Sequence, residues 1–294
     1  MMLSKPVLSA ANLNALAKMV SNAGFQRIMF DDNYKLYGKQ MKNLLKKNGA
    51  ELNDKCSFRE VIEFSYHHLL THYRHEYIYK TALLNSYVLK HYSLADTILL
   101  NEFKIGNSKA DAVLINGTNK VFEIKTELDS PERLSSQLSD YYKAFSEVYI
   151  FIHHSVINKY IQLVDTHVGI MTFNHNQIEV VRAATPDQSK LEIVTMMKAL
   201  RKDEYLEVVK RLCGEIPQTQ PVLLFKTCLN VLSQYAVDEV QYEFLKVIKQ
   251  RIDPAINELM AQSNLPDSLR LSCYYSNLNQ NDYLSLIKRL SFQI

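Results

Sequence analysis

The stretch Ala110-Asp111-Ala112-Val113-Leu114-Ile115, followed by Asn116-Gly117-Thr118-Asn119 and then Lys120-Val121-Phe122-Glu123-Ile124-Lys125, constrains the fold more than any other part of the chain. Two apolar runs separated by turn-forming residues predict two strands joined as a hairpin. Strand side chains alternate between faces, so Glu123 and Lys125 point one way while Phe122 and Ile124 point into a core. Charges inside runs that otherwise read as buried strand cost free energy unless they are paired or hold a metal. Asp111, Glu123 and Lys125 are therefore candidates for chemistry. Asp111 and Glu123 share a face only if the connecting loop has an odd number of residues or a bulge intervenes, as in a three-residue loop with Ile115 opposite Asn119. A two-residue turn at Asn116-Gly117 would place them on opposite faces.

The flanks of this hairpin predict an ordered α/β arrangement. Apolar residues at helical spacing, such as Leu13, Leu16, Ala17 and Val20, or Phe58, Val61, Ile62, Ser65 and Leu69, predict helices up to about residue 93, with breaks at Gly24, Gly38 and Gly49. Thr97 to Leu100 and Phe103 to Ile105 read as extended and are closed by Gly106-Asn107-Ser108. Ser130-Pro131-Glu132 supplies an N-cap and a proline at the first helical position, predicting a helix through Leu134, Leu138, Tyr141, Tyr142 and Phe145. Val148 to Ile152 reads as a buried strand, and Val168 to Phe173 and Ile178 to Val181 finish the sheet around Asn174-His175-Asn176. From about 188 the pattern is helical again, punctuated by Gly214, Pro217, Pro221, Pro254 and Pro266. The predicted regions are an N-terminal helical region (1–75), a mixed core (76–185) and a C-terminal helical region (186–294).

Composition narrows the class. Hydrophobic residues make up 47% of the 294, charged residues 22%, and Gly and Pro number seven each, a globular composition without room for long flexible linkers. The net charge of +3 is mild, so a nucleic-acid surface must be a local patch. Cys56, Cys213, Cys228 and Cys273 form no C-x-x-C pair, which argues against a zinc knuckle or a disulfide framework and fits a reducing cytoplasm. No apolar run approaches the length of a membrane span, so no membrane partner is expected.

Two carboxylates on adjacent strands are oxygen donors of the kind Mg²⁺ or Mn²⁺ takes, leaving positions for water and a phosphate oxygen. A lysine beside them can lower the pKa of an attacking water or neutralise charge that builds on a phosphate. The Glu-x-Lys pattern occurs twice, the other copy being Glu102-Phe103-Lys104 with Asp96 upstream. Only five residues without a turn signal separate Asp96 from Glu102, so those two acids cannot face each other across a hairpin. Glu102 is expected on the preceding strand, as a contributor of a third acid.

Asp111 followed after a turn by Glu123-Ile124-Lys125 resembles the PD-(D/E)XK superfamily of restriction-endonuclease-like nucleases. The following helix adds Gln137 and Tyr141, the Q-x-x-x-Y spacing of its RecB-like and exonuclease branches, with an amide and a phenol one turn apart. The resemblance covers about residues 76 to 155, and Ala110 stands where the name-giving proline would be. It implies a restriction-endonuclease-like mixed sheet in αβββαβ order, flanked by N- and C-terminal helices. It implies a metal-dependent nuclease acting on DNA in a restriction, defence or repair setting, with Asp111 and Glu123 as ligands of Mg²⁺ or Mn²⁺ and Lys125 as the catalytic lysine. Gln137 and Tyr141 would position substrate or the active-site strands, and Glu76 joins Glu102 as a candidate third acid. The alternative is a non-catalytic nucleic-acid- or protein-binding module on the same fold, such as a toxin or immunity component, with a homodimer or partner protein held by the flanking helices.

Two further clusters stand outside that site. His68, His72 and Glu76 fall at i, i+4 spacing on one helical face, which fits either a transition-metal site or a partly exposed polar face. Lys39, Lys42, Lys46, Lys47, Lys55 and Arg59, interleaved with Tyr34 and Tyr37, fit either phosphate and base contacts or a solvated helix face. Lys246, Lys249, Gln250 and Arg251 carry the same two readings.

Overall fold

Left-handed glycines set the two turns on which the sheet is built. In a computed structural model describing residues 9–174, 177–253, 258–261 and 264–294, Gly106 has φ +59° and turns β1 (Ile98–Ile105) back onto β2 (Ser108–Ile115). Gly117, at φ +83°, sits in the loop between β2 and β3 (Asn119–Lys125), a conformation that costs glycine little. Helices α1 (Ala10–Met19), α2 (Asn22–Phe30), α3 (Tyr34–Lys47), α4 (Phe58–His72) and α5 (Glu76–Ala82) precede the sheet, and α5 runs through a π-helical turn, Leu83–Val88, into α6 (Leu89–His91). After β3 come α7 (Leu134–Tyr142), β4 (Glu147–His153), α8 (Ile157–Ile161), β5 (Gly169–Asn174) and β6 (Gln177–Arg182). The helices α9 (Ile193–Ala199), α10 (Lys202–Cys213), α11 (Leu224–Leu232), α12 (Val237–Lys249), α13 (Asp267–Tyr274) and α14 (Gln280–Leu290) follow.

Among the described residues the sheet has six strands in the order β1-β2-β3-β4-β5-β6. β1, β2 and β3 pair antiparallel, whereas β3–β4 and β4–β5 are parallel, so the protein is a mixed α/β fold. A parallel neighbour needs a crossover, and α7 is the crossover from β3 to β4. One face of α7 buries Leu134, Leu138, Tyr141 and Tyr142 in a core shared with Val113, Val121, Val148 and Ile150 of the sheet. Each such aliphatic side chain contributes about 1.5–3 kcal/mol by leaving water.

The chain divides into two compact units. One comprises 1–91, 175–177 and 254–294; the other comprises 92–174 and 178–253. Their boundaries differ from those expected at 75/76 and 185/186. Residues 76–91 group with the N-terminal helices, and α9–α12 group with the sheet. The sheet unit gains α9–α12 because Met196, Val208, Phe244 and Ile248 pack into its core. Asn174 ends β5 as expected, while His175, Asn176 and Pro254 lie outside the described residues.

Several local expectations change. Gly24 and Gly38 do not break helices but lie inside α2 and α3. A Cβ on Gly24 would stand 1.9 Å from the Met19 carbonyl oxygen, so close packing demands the missing side chain there, and one on Gly38 would press on the side chains of Phe58 and Ile294. Gly49 does follow the end of α3, at φ +84°. Ser130-Pro131-Glu132 forms a turn in which the Leu134 N–H donates to the Pro131 carbonyl, and α7 begins only at Leu134. The His68–His72–Glu76 face is interrupted: α4 ends at His72, Tyr73 caps it in a non-helical conformation, and a new helix starts at Glu76.

Candidate active site

The β2–β3 register decides whether the two acids meet. Ala112 pairs with Phe122, Val113 with Val121, Leu114 with Lys120 and Ile115 with Asn119, leaving Asn116-Gly117-Thr118 as a three-residue loop. Continued by one residue, that register sets Asp111 across from Glu123, on one face. Val121, two residues before Glu123, belongs to the core under α7, so Glu123 and Lys125 also face that helix.

The hydrogen bonds confirm this face. The Lys125 ammonium lies 2.8 Å from Glu123 Oε1 and donates to Gln137 Oε1 at 3.0 Å. The Tyr141 hydroxyl lies against both Glu123 Oε2 and the Lys109 carbonyl oxygen, the latter at 3.1 Å. Asp111 Oδ2 accepts the Ile124 N–H at 2.7 Å. Glu123 is 2% exposed and Lys125 6%, whereas Asp111 and Gln137 are half-buried. Burial, reinforced by the Glu123 carboxylate, pushes the Tyr141 phenol far above its ordinary value, so it stays protonated and can only act as a neutral hydroxyl. Asp111, Glu123, Lys125, Gln137 and Tyr141 thus converge in one network spanning three elements.

The two third-acid candidates fare differently. Glu102 lies across from Asp111, between the pairs Asn101–Ala112 and Phe103–Ala110. Its backbone is left-handed (φ +54°), and its half-exposed carboxylate pairs with Lys109 at 2.7 Å. Glu76 belongs to the helical unit, where its exposed carboxylate pairs with Lys80.

Two supporting residues carry no motif. Asp140, next to Tyr141 on α7, accepts from the Asn107 N–H (3.2 Å), the Ser108 hydroxyl (2.7 Å) and the Lys143 ammonium (3.0 Å). It ties α7 to the β1–β2 turn, where Gly106 suits a left-handed backbone (φ +59°) and leaves room for the carboxylate, 2.9 Å from where a Cβ would stand. Lys109 contributes its backbone carbonyl, for which only its strand position two residues before Asp111 gives a hint.

Ligand type suits a divalent cation: hard oxygen donors facing each other from neighbouring strands. A carboxylate offers about four lone-pair sites, so the two donors on Glu123 leave it capacity to coordinate. Among the described residues no group of three or more His, Cys, Asp or Glu is arranged to hold a metal ion. A cation here would rely on the pair, with water or phosphate oxygens completing its shell.

Residues 70–271, more than half of the chain, match the family model for bacteriophage P4 protein cII. The chain belongs to that family. The matched segment includes all five residues of the network. Protein cII of Enterobacteria phage P4 is 26% identical over 189 residues, 62% of this chain and 70% of that protein. A solved structure of a protein of unknown function from Silicibacter pomeroyi aligns over 33% of this chain and 64% of its own, less than two thirds, at 15% identity and a TM-score of 0.27. Among the described residues no helix is long and apolar enough to cross a membrane.

Proposed function

We propose that this protein is a metal-dependent nuclease that hydrolyses phosphodiester bonds of DNA on a restriction-endonuclease-like core in αβββαβ order. The observation that carries this reading is the buried Lys125 ammonium held between Glu123 and Gln137, with Asp111 across the strand pair. Asp111 and Glu123 would hold Mg²⁺ or Mn²⁺, which supplies Lewis-acid polarisation of the phosphate and an activated water. Lys125, kept desolvated by α7, is a fixed positive charge for the oxygens that gain charge as water attacks phosphorus. Gln137 orients that ammonium, and Tyr141 holds Glu123 in place. The family's namesake is a phage protein, so the setting we propose is phage defence, restriction or repair, by analogy of fold and source.

The test is incubation of the purified protein with supercoiled plasmid and with single-stranded DNA in Mg²⁺, Mn²⁺ or EDTA, beside Asp111→Ala and Lys125→Ala. Metal-dependent cutting that both substitutions abolish is the expected result. Cutting that persists in the variants would assign it to a contaminant or another site.

A second reading has one observation in its favour. Both Glu123 oxygens and Asp111 Oδ2 already accept donors from the protein itself, as in a network that serves structure alone. On that reading the sheet is a non-catalytic module for nucleic acid or a partner protein, and no cutting occurs under any condition.

A further inference from the structure

The mild net charge conceals a division between the two units. The helical unit has sixteen Lys and Arg against ten Asp and Glu, whereas the sheet unit has eighteen against twenty-one. Such asymmetry is an electrostatic footprint of polyanion binding. Its densest element is α3, YKLYGKQMKNLLKK, with five lysines and no acid.

Two of the five lysines work inside the protein. Lys42 is buried, with its ammonium on the Asp54 and Ile294 carbonyls, and Lys46 pairs with Asp54 at 2.6 Å. Lys35, Lys39 and Lys47 are exposed, Lys35 with its ammonium also over the Phe292 ring, and with Asn43 they repeat every fourth residue along one flank. The flank is about 18 Å long at 1.5 Å per residue. A merely solvated helix face commonly interleaves both signs at i, i+4 spacing, and α3 has no such pair because it has no acid.

We propose that the Lys35–Lys39–Lys47 flank of α3 binds the phosphate backbone of duplex DNA without reading bases. The choice of a duplex comes from the aromatic residues around it. Arg27 covers Tyr37 at 4.2 Å, Lys35 lies over Phe292 at 4.5 Å and Arg289 over Tyr34 at 4.5 Å, while Tyr37 is itself buried. Single-strand sites stack unpaired bases on open aromatic faces. These rings are capped by the protein's own cations. What α3 presents is ammonium charge with the exposed amides of Gln40 and Asn43, the chemistry of phosphate contacts. The choice of DNA as the polyanion rests on the nuclease reading above, whereas the basic flank does not.

The experiment is fluorescence anisotropy of the full chain with a labelled mixed-sequence duplex of about 30 base pairs and with oligo-dT of equal length, between about 50 and 200 mM salt. EDTA is present throughout, so binding is read without cleavage. The wild-type protein binds the duplex at least as tightly as oligo-dT and weakens steeply with salt. The combined Lys35→Glu, Lys39→Glu and Lys47→Glu variant binds about tenfold or more weaker, and its salt slope falls by about 2 to 3. The corresponding Lys→Arg variant keeps wild-type binding, and a far-ultraviolet thermal melt verifies that each variant is folded. If the triple Glu variant fails to fold, single Lys39→Gln, with a slope reduced by about 1, replaces it. Unchanged affinity in the charge-reversed protein, preference for oligo-dT, or no duplex binding at about 50 mM salt, as expected of a face for an acidic protein, overturns the proposal. Absence of plasmid cutting with this binding intact overturns the nuclease reading alone.

Discussion

Glu-x-Lys is written twice on strands of one sheet, and the two copies have opposite fates. Glu102-Phe103-Lys104 lies on β1 at the sheet edge, where the Glu102 side chain is 52% exposed and its backbone turns left-handed. Glu123-Ile124-Lys125 lies on β3 between two strands and beneath α7, where the Glu123 and Lys125 side chains are 3% and 7% exposed. An exposed pair in high dielectric is worth little, whereas removing one member of a desolvated pair strands its partner's charge. The tripeptide is thus only a precursor. Coverage by α7, with Gln137 and Tyr141 supplying the remaining hydrogen bonds, turns the second copy into a candidate site.

The contrast can be broken most directly by substituting equivalent residues. Lys125→Met leaves Glu123 buried without its cation and should cost about 3–5 kcal/mol in urea unfolding, against less than about 0.5 kcal/mol for Lys104→Met. Equal losses would mean that burial under α7 does not separate the copies. Tyr141→Phe removes the hydroxyl shared by Glu123 and Lys109 and should cost about 1–3 kcal/mol, a loss that Tyr142→Phe should not reproduce.

The Asp140 contacts that hold α7 beside the buried copy depend on pH. Burial pushes its carboxyl up, but hydrogen bonds from Ser108, Lys143 and Asn107 outweigh this and hold it below its ordinary value. A carboxyl depressed in the folded state stabilises the fold above its unfolded pKa, about 4, and loses that contribution as pH falls through the lower folded value. The stability gap between the wild-type protein and Asp140→Asn should therefore shrink as pH drops from about 5 to about 3, and a gap independent of pH would show that the carboxylate charge does not hold α7 to the turn. The smallest effect is expected at the exposed copy. Glu102→Ala should change stability by less than about 1 kcal/mol, and Glu102→Gly should match or exceed it because glycine accepts the left-handed backbone.

The strands around the hairpin were legible because the apolar runs at Val113–Ile115 and Val121–Lys125, separated by turn-forming residues, are local signals, and the requirement for an odd loop followed from side-chain parity alone. The register of Ile115 with Asn119 meets that requirement. Other features depend on partners distant in sequence. Gly24 and Gly38 look like helix breakers until the Met19 carbonyl shows that no Cβ fits at Gly24, and Phe58 and Ile294 show that one at Gly38 would be tight. The histidine face looks continuous until α4 stops at His72. Asp140 belongs to no motif, because its role depends on a turn 33 residues earlier in the chain. Tyr37 and Lys42 count toward a basic, aromatic surface until burial removes them.

The strands, the glycine turns at Gly106 and Gly117, and the acids and lysine recurring at strand spacing were legible in the sequence, since all of these are set by neighbours within a few residues. Which Glu-x-Lys copy is desolvated, that α7 closes over it, that the C-terminal helices divide between two units, and which lysines of α3 remain in water emerged only from the fold. Those outcomes depend on long-range burial, and burial sets the local dielectric that separates a buried ion pair from an ordinary surface charge.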